Sequence, residues 1–242
     1  MITKSVVKDI QSLAGKKYRD QAGLFLAEGP KLVEELLRDC SHSIKAIYAL
    51  ESWIQQNKII NSSIQVTLVT PAELERLSQL TTPHEVLAVV SKFPISPLQI
   101  GKGLTLVCCG IQDPGNFGTI LRTADWFGVR QLVCSPDTVD VYNPKVVQAT
   151  MGSIARLAVH YMDLDPWLNE QEVPIYAAIL NGQSVYEINR SQSGILLIGN
   201  EAKGVPASLL TKKVTGITIP KIGEAESLNA AVATGILLSW LS

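Results

Sequence analysis

From Leu104 onward, short aliphatic runs alternate with helix-like stretches, and this alternation restricts the fold more than any other feature. Strands that alternate with helices build a mostly parallel sheet whose two faces are covered by helices. The predicted strands are 104–109, 131–134, 156–160, 174–179, 194–198 and 214–219, followed by a last helix over about 227–241. The sequence therefore predicts an α/β fold for residues 104–242.

A shorter alternation of the same kind precedes this region and predicts a second compact α/β domain. Its predicted strands are a short apolar strand that stops at Glu28-Gly29-Pro30, then 44–50, 66–69 and 86–90. Its predicted helices are 5–13, 16–22, 30–38 and 71–77. Between the two regions, residues 93–103 hold two prolines and two glycines in eleven positions, which is typical of a linker. We predict a first domain over 1–95, a linker over 96–103 and a second domain over 104–242.

Composition limits the class of protein. The 242 residues have a net charge of −1 and lack any apolar run of about 18 residues, so we expect no membrane span. The first residues have no apolar signal-peptide core. Four cysteines show neither a disulfide pattern nor a zinc pattern, and the three histidines are isolated. We therefore expect a cytoplasmic protein without a metal site.

Three segments that combine polar side chains with glycine or proline follow aliphatic runs of the second region. They are 116–124, 198–204 and 219–229. Because the carboxyl ends of parallel strands meet at one edge of a sheet, these segments can converge on a ligand crevice. A glycine-rich turn before a helix can also bind phosphate, but the Lys-Ser/Thr pair of a P-loop and the three-glycine dinucleotide fingerprint are absent from this sequence.

In order and spacing, these segments resemble the three signature motifs of the SpoU (TrmH-like) RNA ribose methyltransferases. The N-terminal region is similar to the substrate-binding domain of many members, through 17–19, 24–29 and 82–90, although His84 and Glu85 depart from the pattern. The resemblance implies a ribosomal protein L30e-like fold for the first domain and a deep C-terminal trefoil knot in the second. It also implies a homodimer in which each site is completed across the interface.

The resemblance carries specific roles onto residues of this chain. It implies S-adenosylmethionine as cofactor and these catalytic residues: Asn116, Arg122, Glu201, Ser227 and Asn229. The cofactor-binding positions that it implies are Leu180, Gly199, Asn200, Glu201, Gly204, Ile219, Pro220, Ser227, Leu228 and Asn229. The RNA contacts that it implies are Lys17, Arg19, Glu28 and Arg122. From the sequence itself, Ser227 is also a good N-cap for the last helix.

The implied activity is methyl transfer to a ribose 2′-hydroxyl. The N-terminal domain favours large-subunit ribosomal RNA over transfer RNA as the substrate. A transfer-RNA methyltransferase and a non-catalytic RNA-binding or ribosome-assembly factor with the same fold are the alternatives. Five basic side chains within the first 19 residues fit phosphate contacts, and a solvated helix explains them equally well.

Overall fold

A computed structural model of the chain describes residues 2–57, 64–190 and 193–242. The described residues divide into two compact units. The first comprises the residues up to Pro94 together with Asp140–Ala155, and the second comprises Ile95–Val139 and Arg156–Ser242. The sequence placed the whole of 104–242 in one domain, whereas residues 140–155 make their contacts with the first unit.

The first unit contains a mixed sheet that is flanked by helices. Among the described residues, its strands are ordered β1-β4-β2-β3, with β1–β4 and β4–β2 antiparallel and β2–β3 parallel. The strands are β1 (Leu24–Glu28), β2 (Ile44–Ala49), β3 (Gln65–Leu68) and β4 (Val86–Ser91). The helices are α1 (Lys4–Ser12), α2 (Lys16–Ala22), α3 (Pro30–Cys40), α4 (Glu51–Gln56), α5 (Pro71–Leu77) and, from the returning segment, α7 (Pro144–Thr150).

The second unit is built on a parallel sheet, as the sequence predicted. Within the described ranges, its strand order is β10-β8-β9-β5-β6-β7, and each neighbouring pair is parallel. The strands are β5 (Leu104–Cys109), β6 (Gln131–Cys134), β7 (Ala158–Tyr161), β8 (Ile175–Ser184), β9 (Gly194–Gly199) and β10 (Val214–Thr218). The helices are α6 (Pro114–Trp126), α8 (Leu164–Asn169) and α9 (Ala230–Leu241).

The middle of this sheet is covered on both faces. All six residues of β5 are buried, although successive side chains point to opposite faces of a strand. Val107 and Cys109 pack with Leu164 and Leu168 of α8 in one hydrophobic cluster. The central strand β5 is therefore enclosed on both faces.

One end of the sheet contains an irregular register that requires glycine. The pairing of β10 with β8 jumps between Gly216, opposite Ala177, and Ile217, opposite Gln183. A Cβ at Gly182 would lie 2.6 Å from the backbone carbonyl carbon of Gly216. Since no side chain fits at that distance, the two backbones approach so closely only because this residue is glycine.

The last helix begins later than predicted. Asn229, and not Ser227, is its N-cap, and its Oδ1 accepts hydrogen bonds from the backbone N–H of Ala231 and Val232 at 2.9 and 3.3 Å. The prediction that Ser227 caps this helix is therefore wrong. Residues 221–229 are all exposed and form an open loop before α9.

Two residues predicted to contact RNA lie inside the first unit. Arg19 is 2% exposed, its Nη2 pairs with Asp140 Oδ2 at 2.6 Å, and its Nη1 donates to the carbonyls of Leu13 and Ala14. Glu28 is 5% exposed and accepts hydrogen bonds from Ser78 Oγ and from Gln79 N. Burial raises the pKa of the Glu28 carboxyl. Since both side chains are enclosed by protein, the prediction of direct RNA contact is corrected for Arg19 and Glu28, whereas Lys17 is exposed on α2.

Within the described ranges, no helix is long and apolar enough to cross a membrane.

Candidate active site

Three predicted site residues from three distant segments are joined by side-chain hydrogen bonds. Asn116 Nδ2 donates to Glu201 Oε1 at 2.5 Å, and Asn229 Nδ2 donates to Asn116 Oδ1 at 2.8 Å. Asn116 therefore uses both ends of its amide to connect the segment after β5 with the segments after β9 and β10. We call Asn116, Glu201 and Asn229 the polar triad.

Local structure explains why Asn116 points to this place. The helix α6 begins at Pro114, with Asp113 as its N-cap. Asp113 Oδ1 accepts from the backbone N–H of Asn116 at 2.7 Å. A proline at the first helical position needs no hydrogen-bond acceptor, so this sequence is well suited to start a helix. Asn116 thus lies in the first turn of α6 with a fixed backbone.

Arg122 lies on the same helix but outside the hydrogen-bonded triad. It follows Asn116 by six residues and is exposed. In the part of the chain that the structure describes, no carboxylate forms an ion pair with its guanidinium. Ser227 is also exposed, and its hydroxyl has no hydrogen-bond partner among the described residues. Both side chains are therefore available to a bound molecule.

The turn after β9 is held by Asn200, whose structural role the sequence did not reveal. Its Nδ2 donates to the Gly110 carbonyl at 2.8 Å, and its Oδ1 accepts from Ala202 N at 2.9 Å. The backbone of Gly204 closes the turn by donating to the Asn200 carbonyl at 2.7 Å. Asn200 therefore fixes the distance between the loop after β5 and the turn that carries Glu201.

Two further groups hold the loops and were also missed from the sequence. Ser135 Oγ accepts from Gly110 N at 2.8 Å and donates to Asp137 Oδ1 at 2.5 Å. Thr218 Oγ1 donates to the Leu180 carbonyl at 3.0 Å and so links the end of β10 to the irregular part of β8. Serine and threonine are common at strand ends and in loops, so residue type alone does not distinguish these two from the other serines and threonines.

The remaining predicted positions surround the same end of the strands. Leu180 and Leu228 are apolar yet 67% and 47% exposed, and Pro220 is exposed as well. Gly204 has φ +67°, which favours glycine. Over the described residues, no group of three or more His, Cys, Asp or Glu side chains is arranged to hold a metal ion. The candidate site is thus made of amide, carboxylate and guanidinium groups together with two exposed leucine side chains.

The fold and this geometry define a class: an α/β protein whose parallel strands end in loops that converge on one polar ligand site. Comparisons with known proteins narrow the class. The SpoU rRNA Methylase family model matches residues 103–239, and the MRM3-like substrate binding domain model matches residues 4–88. The chain belongs to the SpoU rRNA methylase family, which confirms the family prediction made from the three motifs.

Individual relatives resemble the chain over nearly its whole length. The 23S rRNA (guanosine(2553)-2′-O)-methyltransferase RlmP of Bacillus subtilis is 34% identical over 239 residues, which are 97% of this chain and 95% of the relative. The structure of a TrmH-family protein from Porphyromonas gingivalis matches with a TM-score of 0.86 and 36% identity, covering 100% of this chain and 98% of that one. An AdoMet-bound rRNA methyltransferase from Sinorhizobium meliloti matches with a TM-score of 0.84 and 31% identity, covering 100% and 95%.

Proposed function

We propose that this protein transfers a methyl group from S-adenosylmethionine to a ribose 2′-hydroxyl in large-subunit ribosomal RNA. The observation that carries the proposal is the polar triad, which joins all three motif segments, with the exposed Arg122 on the helix that carries Asn116. The substrate class is supported by the similarity to RlmP, a 23S rRNA 2′-O-methyltransferase, over 97% of the chain.

The residues at the strand ends fit S-adenosylmethionine. An adenosine needs apolar surface for its base and backbone hydrogen-bonding groups for its edges. Leu180, in the irregular part of β8, and Leu228, in the loop before α9, are exposed apolar side chains that can supply this surface. We assign cofactor binding to the loops after β9 and β10. Here, Gly199, Gly204, Ile219 and Pro220 set the backbone conformation, and Ser227 offers a free hydroxyl donor. When bound, the cofactor supplies an electrophilic methyl group whose sulfur leaves without charge.

The chain's own contribution is to hold and polarise the nucleophile. Arg122 is a permanent cation and a poor base, so it acts by orienting the 2′-hydroxyl and by stabilising the negative charge that develops on its oxygen while the hydroxyl proton passes to water. The triad fixes the helix that carries Arg122 relative to the loops of the cofactor site. Because a reaction of this kind depends on aligned reactants at short distance, this rigidity is itself the main catalytic device.

The direct test is transfer of labelled methyl groups from S-adenosylmethionine to purified RNA. Ribosomal RNA and transfer RNA that lack the modification are incubated separately with the enzyme. We expect label in the ribosomal pool at one ribose, detected as one phosphodiester bond that resists alkaline cleavage. Label only in transfer RNA would contradict the proposed substrate. Absence of label in both pools and in isolated ribosomal particles, with cofactor binding intact, would favour a non-catalytic RNA-binding factor.

Gly199→Ala should disable cofactor binding. A Cβ at this position would lie 2.1 Å from the carbonyl carbon of Gly204 and 2.2 Å from the nitrogen of Val205, both of which are backbone atoms. The turn that carries Glu201 must therefore move, and we expect the dissociation constant of S-adenosylmethionine to rise about tenfold or more. Isothermal titration calorimetry measures the change. Gly223→Ala is the matched control, because a Cβ there meets nothing within 4 Å.

We also infer that the protein acts as a homodimer through the exposed face of α6 and α9. Trp126 is 85% exposed and follows Arg122 by four residues, so the two side chains lie on one face of α6. Val232 of α9 is 52% exposed, and α6 and α9 are in contact. Exposed large apolar groups on one face are typical of an interaction surface. A second copy on this face would lie next to Arg122 and complete the site.

Trp126→Arg should therefore produce a monomer. A charged side chain would have to be buried at the interface without a partner, so we expect light scattering after size-exclusion chromatography to give the mass of one chain. The rate of methyl transfer should decrease in proportion to the fraction of protein that is dimeric. Leu68→Arg is the control, since Leu68 is 59% exposed on the edge strand β3 of the first unit. A Trp126→Arg protein that remained a dimer would contradict this surface.

Four further expectations belong to the same proposal. We infer a ribosomal protein L30e-like fold for the first unit, in which a mixed sheet is flanked by helices. The match of residues 4–88 to a substrate binding domain supports Lys17 as its RNA contact. The trefoil knot is supported by the path of the chain, which leaves β10 at the sheet edge and returns beside Asn116, after the central strand β5. We infer a cytoplasmic location from the proposed ribosomal substrate.

A further inference from the structure

Three separate segments of the first unit meet at Gly29. A Cβ at this residue would lie 3.5 Å from His84 Cδ2 and 3.8 Å from Gln148 Nε2. Gly29 has φ +94° and joins β1 to α3, His84 lies in the loop before β4, and Gln148 lies on α7. We call Gly29, His84 and Gln148 the Gly29 cluster. None of these residues takes part in the polar triad or in the loops proposed to bind the cofactor.

The Gly29 cluster and two lysines close to it in sequence have unused hydrogen-bonding groups. In the described ranges, the side chains of Lys31, Lys145 and Gln148 have no hydrogen bond or ion pair with another residue. Lys31 follows Gly29 by two positions, and Lys145 is three residues before Gln148, hence on the same side of α7. Glu28, which precedes Gly29, is buried and accepts from Ser78 and Gln79. Glu35, one helical turn after Lys31 on α3, is paired with Arg38. The surface therefore offers an amide and two ammonium groups to an anion.

A cleft adjoins this surface through His84. It has a volume of about 430 Å³, and its apolar lining comprises Leu50, Pro71, Ala72, Leu74 and Pro83. His84, Glu75 and Glu85 contribute the polar part of its lining. Glu85 Oε1 accepts from Ser52 Oγ at 2.8 Å, whereas the Glu75 carboxylate is exposed. A site with apolar walls, an imidazole and carboxylate oxygens suits a flat heterocycle that carries N–H donors.

We propose that the Gly29 cluster and this cleft bind one unstacked nucleotide of the RNA substrate, with the base in the cleft and a phosphate on Lys31 and Lys145. The proposal rests on the proposed function, because it names a recognition site for the same RNA away from the methylated ribose. Proteins read RNA sequence mainly at unpaired nucleotides whose bases stack on side-chain rings and expose their edges.

The acidic lining selects among the bases. Glu75 and Glu85 accept hydrogen bonds but do not donate them when ionised. Guanine, adenine and cytosine each present an exocyclic amino group to such an acceptor. Uracil has only its N3–H as a donor on the pairing edge, and the two carbonyl oxygens that flank this N–H are repelled by the carboxylates. The site therefore prefers a base with an exocyclic amino group and discriminates against uridine.

The test uses the full-length protein and seven-nucleotide RNA oligomers of uridine with one variable central nucleotide. Fluorescence anisotropy gives the dissociation constant for each central base. We expect central guanosine, adenosine or cytidine to bind about tenfold more tightly than central uridine. His84→Ala should weaken binding of these three about tenfold through loss of stacking, while His42→Ala, an exposed histidine of the same unit, should not. Glu75→Gln with Glu85→Gln should remove the discrimination against uridine.

Two outcomes would overturn the proposal: equal affinity for all four central bases, or unchanged binding in His84→Ala. Folding is monitored by S-adenosylmethionine affinity, which these substitutions should leave intact. The Arg122→Ala variant separates this inference from the proposed function. It should keep the preference among oligomers while losing methyl transfer. If the wild-type protein binds oligomers base-selectively but methylates no RNA, the proposed function is contradicted and the nucleotide site is still supported.

Discussion

Replacing Arg122 with alanine is expected to reduce the methyl-transfer rate about a thousandfold, which corresponds to about 4 kcal/mol of transition-state stabilisation. The guanidinium is exposed and forms no ion pair with any described residue, so its removal leaves no buried partner behind. The cofactor affinity and the unfolding temperature should therefore remain at wild-type values. Single-turnover methylation of ribosomal RNA with saturating S-adenosylmethionine measures the chemical step directly.

Two variants sharpen the interpretation of that result. Arg130→Ala is the matched control, because Arg130 lies just beyond the same helix and pairs at the surface with Asp125 at 3.4 Å. Arg122→Lys retains the charge but loses the planar pair of donors, and we expect it to recover only a small part of the rate. Full activity in Arg122→Ala would show that the 2′-hydroxyl is activated by a different group.

Arg19→Ala is expected to lower the free energy of unfolding by about 3 to 5 kcal/mol. The Arg19 side chain is 3% exposed and that of Asp140 is 13% exposed, so neither charge is solvated once its partner is removed. The substitution also leaves the carbonyls of Leu13 and Ala14 without their donor. Urea unfolding followed by circular dichroism gives the change, and hydrogen exchange should show faster exchange within residues 140–155.

A double-mutant cycle distinguishes this ion pair from simple loss of side-chain packing. Arg19→Ala combined with Asp140→Asn should cost clearly less than the sum of the two single substitutions, because no unpaired charge remains. Arg38→Ala is the control, since Arg38 forms an exposed pair with Glu35 and should cost less than about 1 kcal/mol. Additive effects in the cycle would contradict a direct coupling between Arg19 and Asp140.

The parallel sheet could be predicted because its central strands are nearly continuous apolar runs in the sequence. The buried run Leu104–Cys109 has the same bounds in the sequence prediction and in the structure. The bounds of β8 were harder, since it extends to Ser184 through polar residues that pair with β10 after the register jump. This segment is a strand because its backbone pairs with the neighbouring strand, and not because its side chains are buried. Such a segment shows no hydrophobic pattern in its own sequence.

The residues of the site could be predicted from the sequence, but the hydrogen bonds between them could not. Ser227 and Asn229 are both good N-caps by residue type, and the choice between them depends on the contact of Asn229 with Asn116, 113 residues away. Arg19 reads as one member of a basic surface cluster, yet its partner Asp140 is 121 residues distant. Local sequence contains no information about such pairs, so the interior position of Arg19 became evident only in the structure.

Because residues 140–155 return to the first unit, that unit is not a continuous stretch of chain. A fragment cut at Pro94 would lack Asp140, Tyr142 and Gln148, and so would lose the counter-ion of Arg19, the hydroxyl that accepts from Phe93 N and one member of the Gly29 cluster. Exchange of substrate specificity between relatives by recombination at the linker would therefore produce mismatched chimaeras. A functional exchange has to transfer two stretches of sequence together, and divergence in one of them should be accompanied by compensating change in the other.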